Sequence, residues 1–161
     1  MVEETVINAR MSPLRVWSTL SDLAGYRQWH PHYYFKRVAP SGSHAELSRP
    51  FLEMRRFSTW VELLREPRPF VFGWKSRRSK LIDFMERYEI APTGDGSEVR
   101  HIVTFGGIFG GLAGLFLRSA IREEMRAHDD ALQKALKRQE LRPLTKNRRR
   151  LAETSRRAAN D

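Results

Sequence analysis

Residues 106–117 read Gly106-Gly107-Ile108-Phe109-Gly110-Gly111-Leu112-Ala113-Gly114-Leu115-Phe116-Leu117. The pattern continues without a proline through Ile121, Met125, His128, Leu132, Ala135 and Leu136. Those later positions recur at steps of three and four, the spacing of one helix face. They predict one long C-terminal helix whose first third is almost wholly apolar and loosened by glycine. Ahead of it lie short strand-like runs that carry Trp60, Phe70, Phe72, Trp74, Phe84, Tyr88 and Phe105. Strands that wrap such a helix, with aromatics on them and glycines at the helix start, imply a hollow core able to hold an apolar molecule.

The rest of the chain falls into place around that helix. Glu3 to Ala9 alternates as a first strand. Ser12-Pro13 reads as an N-cap followed by proline at the first helical position, and the helix carries Leu14, Val16, Trp17 and Leu20 to about Ser21-Asp22. Leu23 to Trp29 is a second short helix or turn, closed by His30-Pro31. Tyr33 to Val38 is strand-like, and Pro40-Ser41-Gly42-Ser43 is a turn. Ala45 to Leu64 makes two strands with a break near Pro50 or Glu53, and Glu66 to Pro69 is a turn. Phe70 to Lys75 and Leu81 to Ala91 alternate as strands. The first puts Phe70, Phe72 and Trp74 on one face, the second Ile82, Phe84, Glu86, Tyr88 and Ile90. Pro92-Thr93-Gly94-Asp95-Gly96 is the strongest hairpin signal. The return strand, Glu98 to Phe105, keeps Val99, His101, Val103 and Phe105 together. Consecutive hairpins make an antiparallel sheet, and helices kept to one side of it define an α+β domain.

A chain of 161 residues is one domain, or one domain and a tail. The net charge is +10. Residues 139–161 hold seven Arg or Lys against three acidic residues, so we read 1–138 as the domain and 139–161 as a basic C-terminal tail, frayed helix or disordered. Such a tail favours anionic partners, nucleic acid or an acidic membrane surface, but it lacks interleaved aromatics. There is no cysteine, hence no disulfide framework. The acidic, strand-like N-terminus does not read as a signal peptide, and no apolar run reaches the roughly 20 residues of a spanning helix. A cytoplasmic location is expected.

Glu86 stands on an apolar strand face between Phe84 and Tyr88. Desolvation there raises a carboxyl's pKa unless a cation pairs with it, so Glu86 is a candidate proton donor or ligand partner. His101 lies between Val99 and Val103 on the expected inner face of the last strand, where an imidazole can serve as acid or base. The two meet if their strands pair across the Gly94-Asp95-Gly96 turn. Trp60, Phe70, Phe72, Trp74 and Tyr88 are suited to stack on a planar ligand, although core filling is the commoner role. The candidate ligand-binding set is Trp60, Phe72, Trp74, Phe84, Tyr88, His101 and Phe105. His30-Pro31-His32 offers no complete ligand set for a metal. Glu124 and His128, four apart, read as an ordinary helix-surface contact. The glycines at 106, 107, 110, 111 and 114 are not closed by a Lys-Ser/Thr pair, so they form no phosphate loop. Neither a metal nor a cofactor is expected.

Several phrases, in order, carry a family resemblance: Ile7-Asn8-Ala9 with Ser12-Pro13 and Val16-Trp17; Leu20, Asp22, Tyr26, Trp29 and Pro31; Phe72-Gly73-Trp74; Glu86-Arg87-Tyr88-Glu89-Ile90-Ala91-Pro92; Gly96-Ser97-Glu98-Val99-Arg100-His101 with Phe105-Gly106-Gly107; and Ala131-Leu132 with Ala135-Leu136-Lys137. This combination resembles the START/SRPBCC superfamily, which includes polyketide cyclase/dehydrase-like proteins, over about residues 3–138. The resemblance implies the helix-grip fold, a curved antiparallel sheet around a long C-terminal helix. Its members hold lipids, sterols, hormones, quinones or polyketides in the cavity, and some catalyse cyclisation or dehydration. It therefore implies a binder of a small hydrophobic or amphipathic ligand, or alternatively a cyclase/dehydrase-type enzyme with Glu86 and His101 as acid and base. A third reading is an adaptor that docks on RNA, ribosome or anionic membrane through the tail, and the resemblance does not reach that segment.

Overall fold

The computed structural model describes residues 1–51, 55–67, 69–79, 82–108 and 110–141. The elements run β1 (Val2–Ala9), α1 (Pro13–Ser21), a 3-10 turn (Leu23–Gly25), α2 (Tyr26–Trp29), β2 (Tyr34–Val38), β3 (His44–Phe51), β4 (Arg55–Pro67), β5 (Phe70–Ser79), β6 (Ile82–Pro92), β7 (Ser97–Gly106) and α3 (Gly110–Glu140). All seven strands form one antiparallel sheet in the order β1-β7-β6-β5-β4-β3-β2. The chain thus lays down hairpins from β2 to β7 and closes by setting β1 beside β7. The break expected near Pro50 or Glu53 falls beyond Pro50, since β3 runs to Phe51 and β4 starts at Arg55. Glu53 and the tail beyond Leu141 lie outside the described residues.

Strand alternation decides what the concave face presents. Ile7, Val99, His101, Val103, Glu86, Tyr88, Ile90, Phe72, Trp74, Val61, Leu63, Leu47 and Phe35 all turn inward and are buried. One end of this concavity is solid. Leu20 and Val16 from α1, Tyr26 from α2, Leu132 and Leu136 from α3, and Phe72, Trp74 and Tyr88 from the sheet pack in one cluster. The ring of Tyr26 sits 4.9 Å from Phe35 edge-on, and Trp74 meets both Phe35 and Tyr33 in T-shaped contacts. A smaller cluster of Val103, Ile121 and Met125 with Phe84 and Phe105 occupies the other end. Phe72, Trp74 and Tyr88 therefore fill the core instead of lining a cavity. The short helices close that end of the groove and leave these rings no free face.

Gly73 shows how close the strands run. A methyl group on its Cα would stand 2.3 Å from the carbonyl oxygen of Glu86. Polar ties fix the helices on the sheet. The Trp17 indole donates to the Val71 carbonyl at 3.0 Å, and the Thr19 hydroxyl donates to Gln139 at 3.0 Å, joining α1 to the end of α3. At the other end of α3, Arg118 and Arg122 each donate to buried Glu3 at 2.6 Å. Arg122 and then Arg118 hold the Glu3 carboxyl below its ordinary range against the opposing effect of burial.

Trp60 departs from expectation. It pairs across the ladder with Glu46, while Val61 and Leu63, one and three residues further along the same strand, point inward. Trp60 lies on the outer face, 50% exposed, with the Arg37 guanidinium 5.9 Å from its ring. It cannot reach the interior, because successive side chains point to opposite faces.

Burial separates these positions in a measurable way. Leu132 is fully buried, so Leu132→Ala should lower unfolding stability by about 2–5 kcal/mol. Trp60→Ala should change it by less than about 1 kcal/mol. Urea unfolding of both variants checks the assignment, and equal losses would contradict it.

Candidate functional site

The β6–β7 hairpin register sets Tyr88 opposite His101 and Glu86 opposite Val103. Side chains at 86, 88, 101 and 103 therefore share the inner face, and the Tyr88 and His101 rings stack at 4.3 Å. His101 Nε2 lies 3.1 Å from Glu86 Oε1, and the Tyr88 hydroxyl donates to the same oxygen at 3.1 Å. The two residues that the hairpin signal placed near each other are in direct contact.

α3 completes the group from above. Asp129 Oδ1 is 2.8 Å from His101 Nδ1, and Asp129 Oδ2 accepts from the Thr5 hydroxyl at 2.5 Å. His128, one residue earlier, is 2% exposed and sets Nδ1 3.5 Å from Glu86 Oε1. Its Nε2 stands 3.8 Å from Glu124 Oε1, and that oxygen accepts from the Tyr33 hydroxyl at 2.7 Å. Glu124 and His128 are thus not a surface pair, because the helix buries the His128 end. The buried His30 ring packs 4.3 Å from His128 and 4.7 Å from Tyr33, and His30 Nδ1 accepts the Tyr33 backbone N–H at 2.9 Å.

Burial and charge oppose each other here. Burial disfavours the His101 cation, but its bonds to Asp129 and Glu86 outweigh that and raise its pKa to about 9. Burial alone would raise the Glu86 carboxyl, but contact with His101 and then His128 reverses it, and the group lies well below the usual carboxylate range. Of the two roles open to Glu86, proton donor or ligand partner, the lowered carboxyl favours the acceptor, because the cation that would offset desolvation is present. Burial, reinforced by the nearby His128, pushes His30 well below its ordinary range. Burial and then the Glu86 charge raise Tyr33 and Tyr88 well above theirs.

A small, partly open pocket of about 40 Å³ borders this group. Phe84, Val103, Phe105, Ile121 and Met125 form apolar walls, and Glu86, His128, Glu124, Tyr33 and Arg49 supply the polar ones. Of the residues expected to line a cavity, Phe84 and Phe105 do so. His101 stands behind Glu86 and is not on the wall. Trp60 instead edges an outward-facing groove of about 500 Å³ with Lys75, Glu62 and Met85. The sequence reading missed His128, Asp129, Glu124 and Tyr33 as site residues. The available signal was His128 itself, a polar residue at an apolar-periodic position of α3.

Residues 1–137 match the family described as polyketide cyclase / dehydrase and lipid transport. The chain belongs to that family. None of the curated proteins matches the sequence. Among solved structures, the Zhui aromatase/cyclase of a Streptomyces species superposes with TM-score 0.65 at 12% identity, covering 86% of this chain and 94% of that one. A START superfamily protein from Mycobacterium smegmatis superposes with TM-score 0.62 at 16% identity, covering 85% and 97%. A protein from Nitrosomonas europaea superposes with TM-score 0.67 at 14% identity, covering 88% and 97%. At these identities the likeness is one of fold: the curved sheet, long C-terminal helix and short N-terminal helices of the helix-grip architecture. No described helix is long and apolar enough to cross a membrane.

The raised His101 and lowered Glu86 set a pH profile. The His101 contribution is complete below its unfolded pKa near 6.5 and is lost as pH rises through about 9. The Glu86 contribution is present above its unfolded value of 4.5 and is lost only as pH falls below it. In metal-free buffer, stability should decline on the order of 3 kcal/mol between about pH 6.5 and 9. His101→Gln should flatten this limb. Urea midpoints across that range check it, and a wild-type profile that rises toward pH 9 would contradict the charge assignment.

Proposed function

We propose that this member of the polyketide cyclase / dehydrase and lipid transport family binds a small amphipathic ligand between the sheet and α3. One observation carries the reading: a pocket with walls of Phe84, Val103, Phe105, Ile121 and Met125 ends on the buried, ionised Glu86. The apolar walls take the ligand's hydrocarbon part out of water at about 25 cal/mol per Å². Glu86 accepts a hydrogen bond from its hydroxyl, a bond to a charged group worth about 1.5–3 kcal/mol.

A pocket of about 40 Å³ holds little more than water. Ligand entry therefore requires the rim to open. Phe84 and Phe105, partly buried at the ends of β6 and β7, are placed to swing aside. The solid end of the core around Tyr26, Trp74 and Leu132 stays packed, so the site forms at the Phe84–Phe105 end.

The cyclase/dehydrase-type alternative has one observation in its favour, the connected Asp129–His101–Glu86 row with Glu86 on the pocket wall. On that reading Glu86 is the group that meets substrate. His101 acts through it as a positioning residue, since it does not reach the pocket.

The test compares 1-naphthol with naphthalene. The wild-type protein should bind 1-naphthol at least about tenfold more tightly, the difference expected of one hydrogen bond to a charged acceptor. Glu86→Gln should narrow that ratio, and Met125→Trp should block both compounds with the fold retained. Equal binding of the two, or binding of neither at millimolar concentration, would overturn the reading. Fluorescence titration and native mass spectrometry give the readout.

A further inference from the structure

The polar group at the pocket has a second property. Glu86, His101 and His128 each present one donor atom, and these three atoms lie within 4.8 Å of one another. They come from β6, β7 and α3, and all three side chains are buried. We propose that Glu86 Oε1, His101 Nε2 and His128 Nδ1 form a divalent-cation site of the zinc class just behind the pocket, which Glu86 and His128 border.

The geometry fits a tetrahedral ion. Ligand bonds of about 2.0–2.2 Å at tetrahedral angles set donor atoms about 3.3–3.5 Å apart. Two edges already have nearly that length, 3.1 Å from His101 Nε2 to Glu86 and 3.5 Å from His128 Nδ1 to Glu86. The third edge, within 4.8 Å, would have to shorten by about an ångström on binding.

His128 is an independent observation. It is buried, and among the described residues neither of its nitrogens has a hydrogen-bond partner. Buried polar atoms are rarely left in that state, and Nδ1 faces the Glu86 oxygen on the wall of the pocket.

One surrounding carboxylate, Asp129, is arranged as metal sites require, and a second, Glu124, stands near the other ring. A metal-bound histidine usually gives its other ring N–H to a carboxylate, which fixes the tautomer and aims the ring. Asp129 stands at His101 Nδ1 in that role, itself held by Thr5. Glu124 faces His128 Nε2 at 3.8 Å, itself held by Tyr33. Tyr88 aims the Glu86 oxygen. Two imidazoles and one carboxylate suit a borderline first-row cation over calcium or magnesium. The pocket side leaves a fourth position for water or for an oxygen of a bound molecule, the open coordination of catalytic zinc sites.

The proposal does not depend on the amphipathic-ligand reading, because the metal alone is the probe. Full-length, tag-free protein is stripped with chelator and titrated with Zn²⁺ by calorimetry, then with Co²⁺ by visible absorption. One ion per chain is expected, with the strong visible bands of tetrahedral Co²⁺. His128→Gln should weaken binding by roughly 100-fold or more, and Asp129→Asn by about 10–100-fold. His128 has no hydrogen-bond partner to strand, so its replacement should keep near-UV circular dichroism unchanged even if His101 and Glu86 variants fail to fold. His32→Gln, at the half-buried neighbouring turn, should bind as wild type. The proposal is overturned if folded wild-type protein takes up neither ion at millimolar concentration. It is also overturned if His128→Gln binds as tightly as wild type, or if His32→Gln abolishes binding.

Discussion

A histidine cation held between two carboxylates joins the sheet of this protein to its long helix. His101 on β7 meets Glu86 on β6 at 3.1 Å and Asp129 on α3 at 2.8 Å, with almost no access to water. Each charge alone would be costly at this depth. Together they are tolerated because the hairpin register and the helix placement deliver them to one point. Removing His101 would leave two uncompensated carboxylates inside, at a cost of about 3–5 kcal/mol. The helix can therefore dock in one register only. A slide by one turn would part Asp129 from His101 and Arg118 and Arg122 from Glu3 in the same movement.

This clamp separates two regions with different duties. On one side Tyr26, Phe72, Trp74, Leu20 and Leu132 form a dense aromatic and aliphatic core. On the other, among the described residues, a smaller cluster of Val103, Ile121 and Met125 is edged by the partly buried Phe84 and Phe105, and the pocket opens there. The helix-grip scaffold thus devotes most of its concavity to stability. The pocket lies at the Phe84–Phe105 end, where apolar walls meet the charged Glu86.

Much of this was legible in the residue pattern. The three-and-four spacing from Ile121 to Leu136 marked α3, and alternation around Glu86 and His101 put both on one inner face. The turn at residues 92–96 then implied their contact. Which aromatics fill space and which line it was not legible. That depends on where α1 and α2 cover the sheet, a tertiary fact that strand periodicity does not carry. Trp60 was misplaced for a local reason. With the β3–β4 break ambiguous, the phase of β4 could not be set, and a one-residue change of phase moves a side chain to the opposite face.

His128 and Asp129 show the limit in sharper form. On a helix wheel they are neighbours separated by about 100°, and one of them should face water. Both are buried because α3 packs along the adjacent strands β1 and β7 and against α2. Asp129 reaches Thr5 on β1 and His101 on β7, while His128 turns toward β6 and the turn at His30. A helix gripped in this way can present two adjacent polar side chains to two different strands. That is how the polar group of Glu86, His101, Glu124, His128 and Asp129 assembles, with Glu86, Glu124 and His128 reaching the pocket and His101 and Asp129 behind them. The polar groups lie in the trough for a mechanical reason. They are the residues through which the helix is held, and the pocket begins where that grip relaxes toward Ile121 and Phe105.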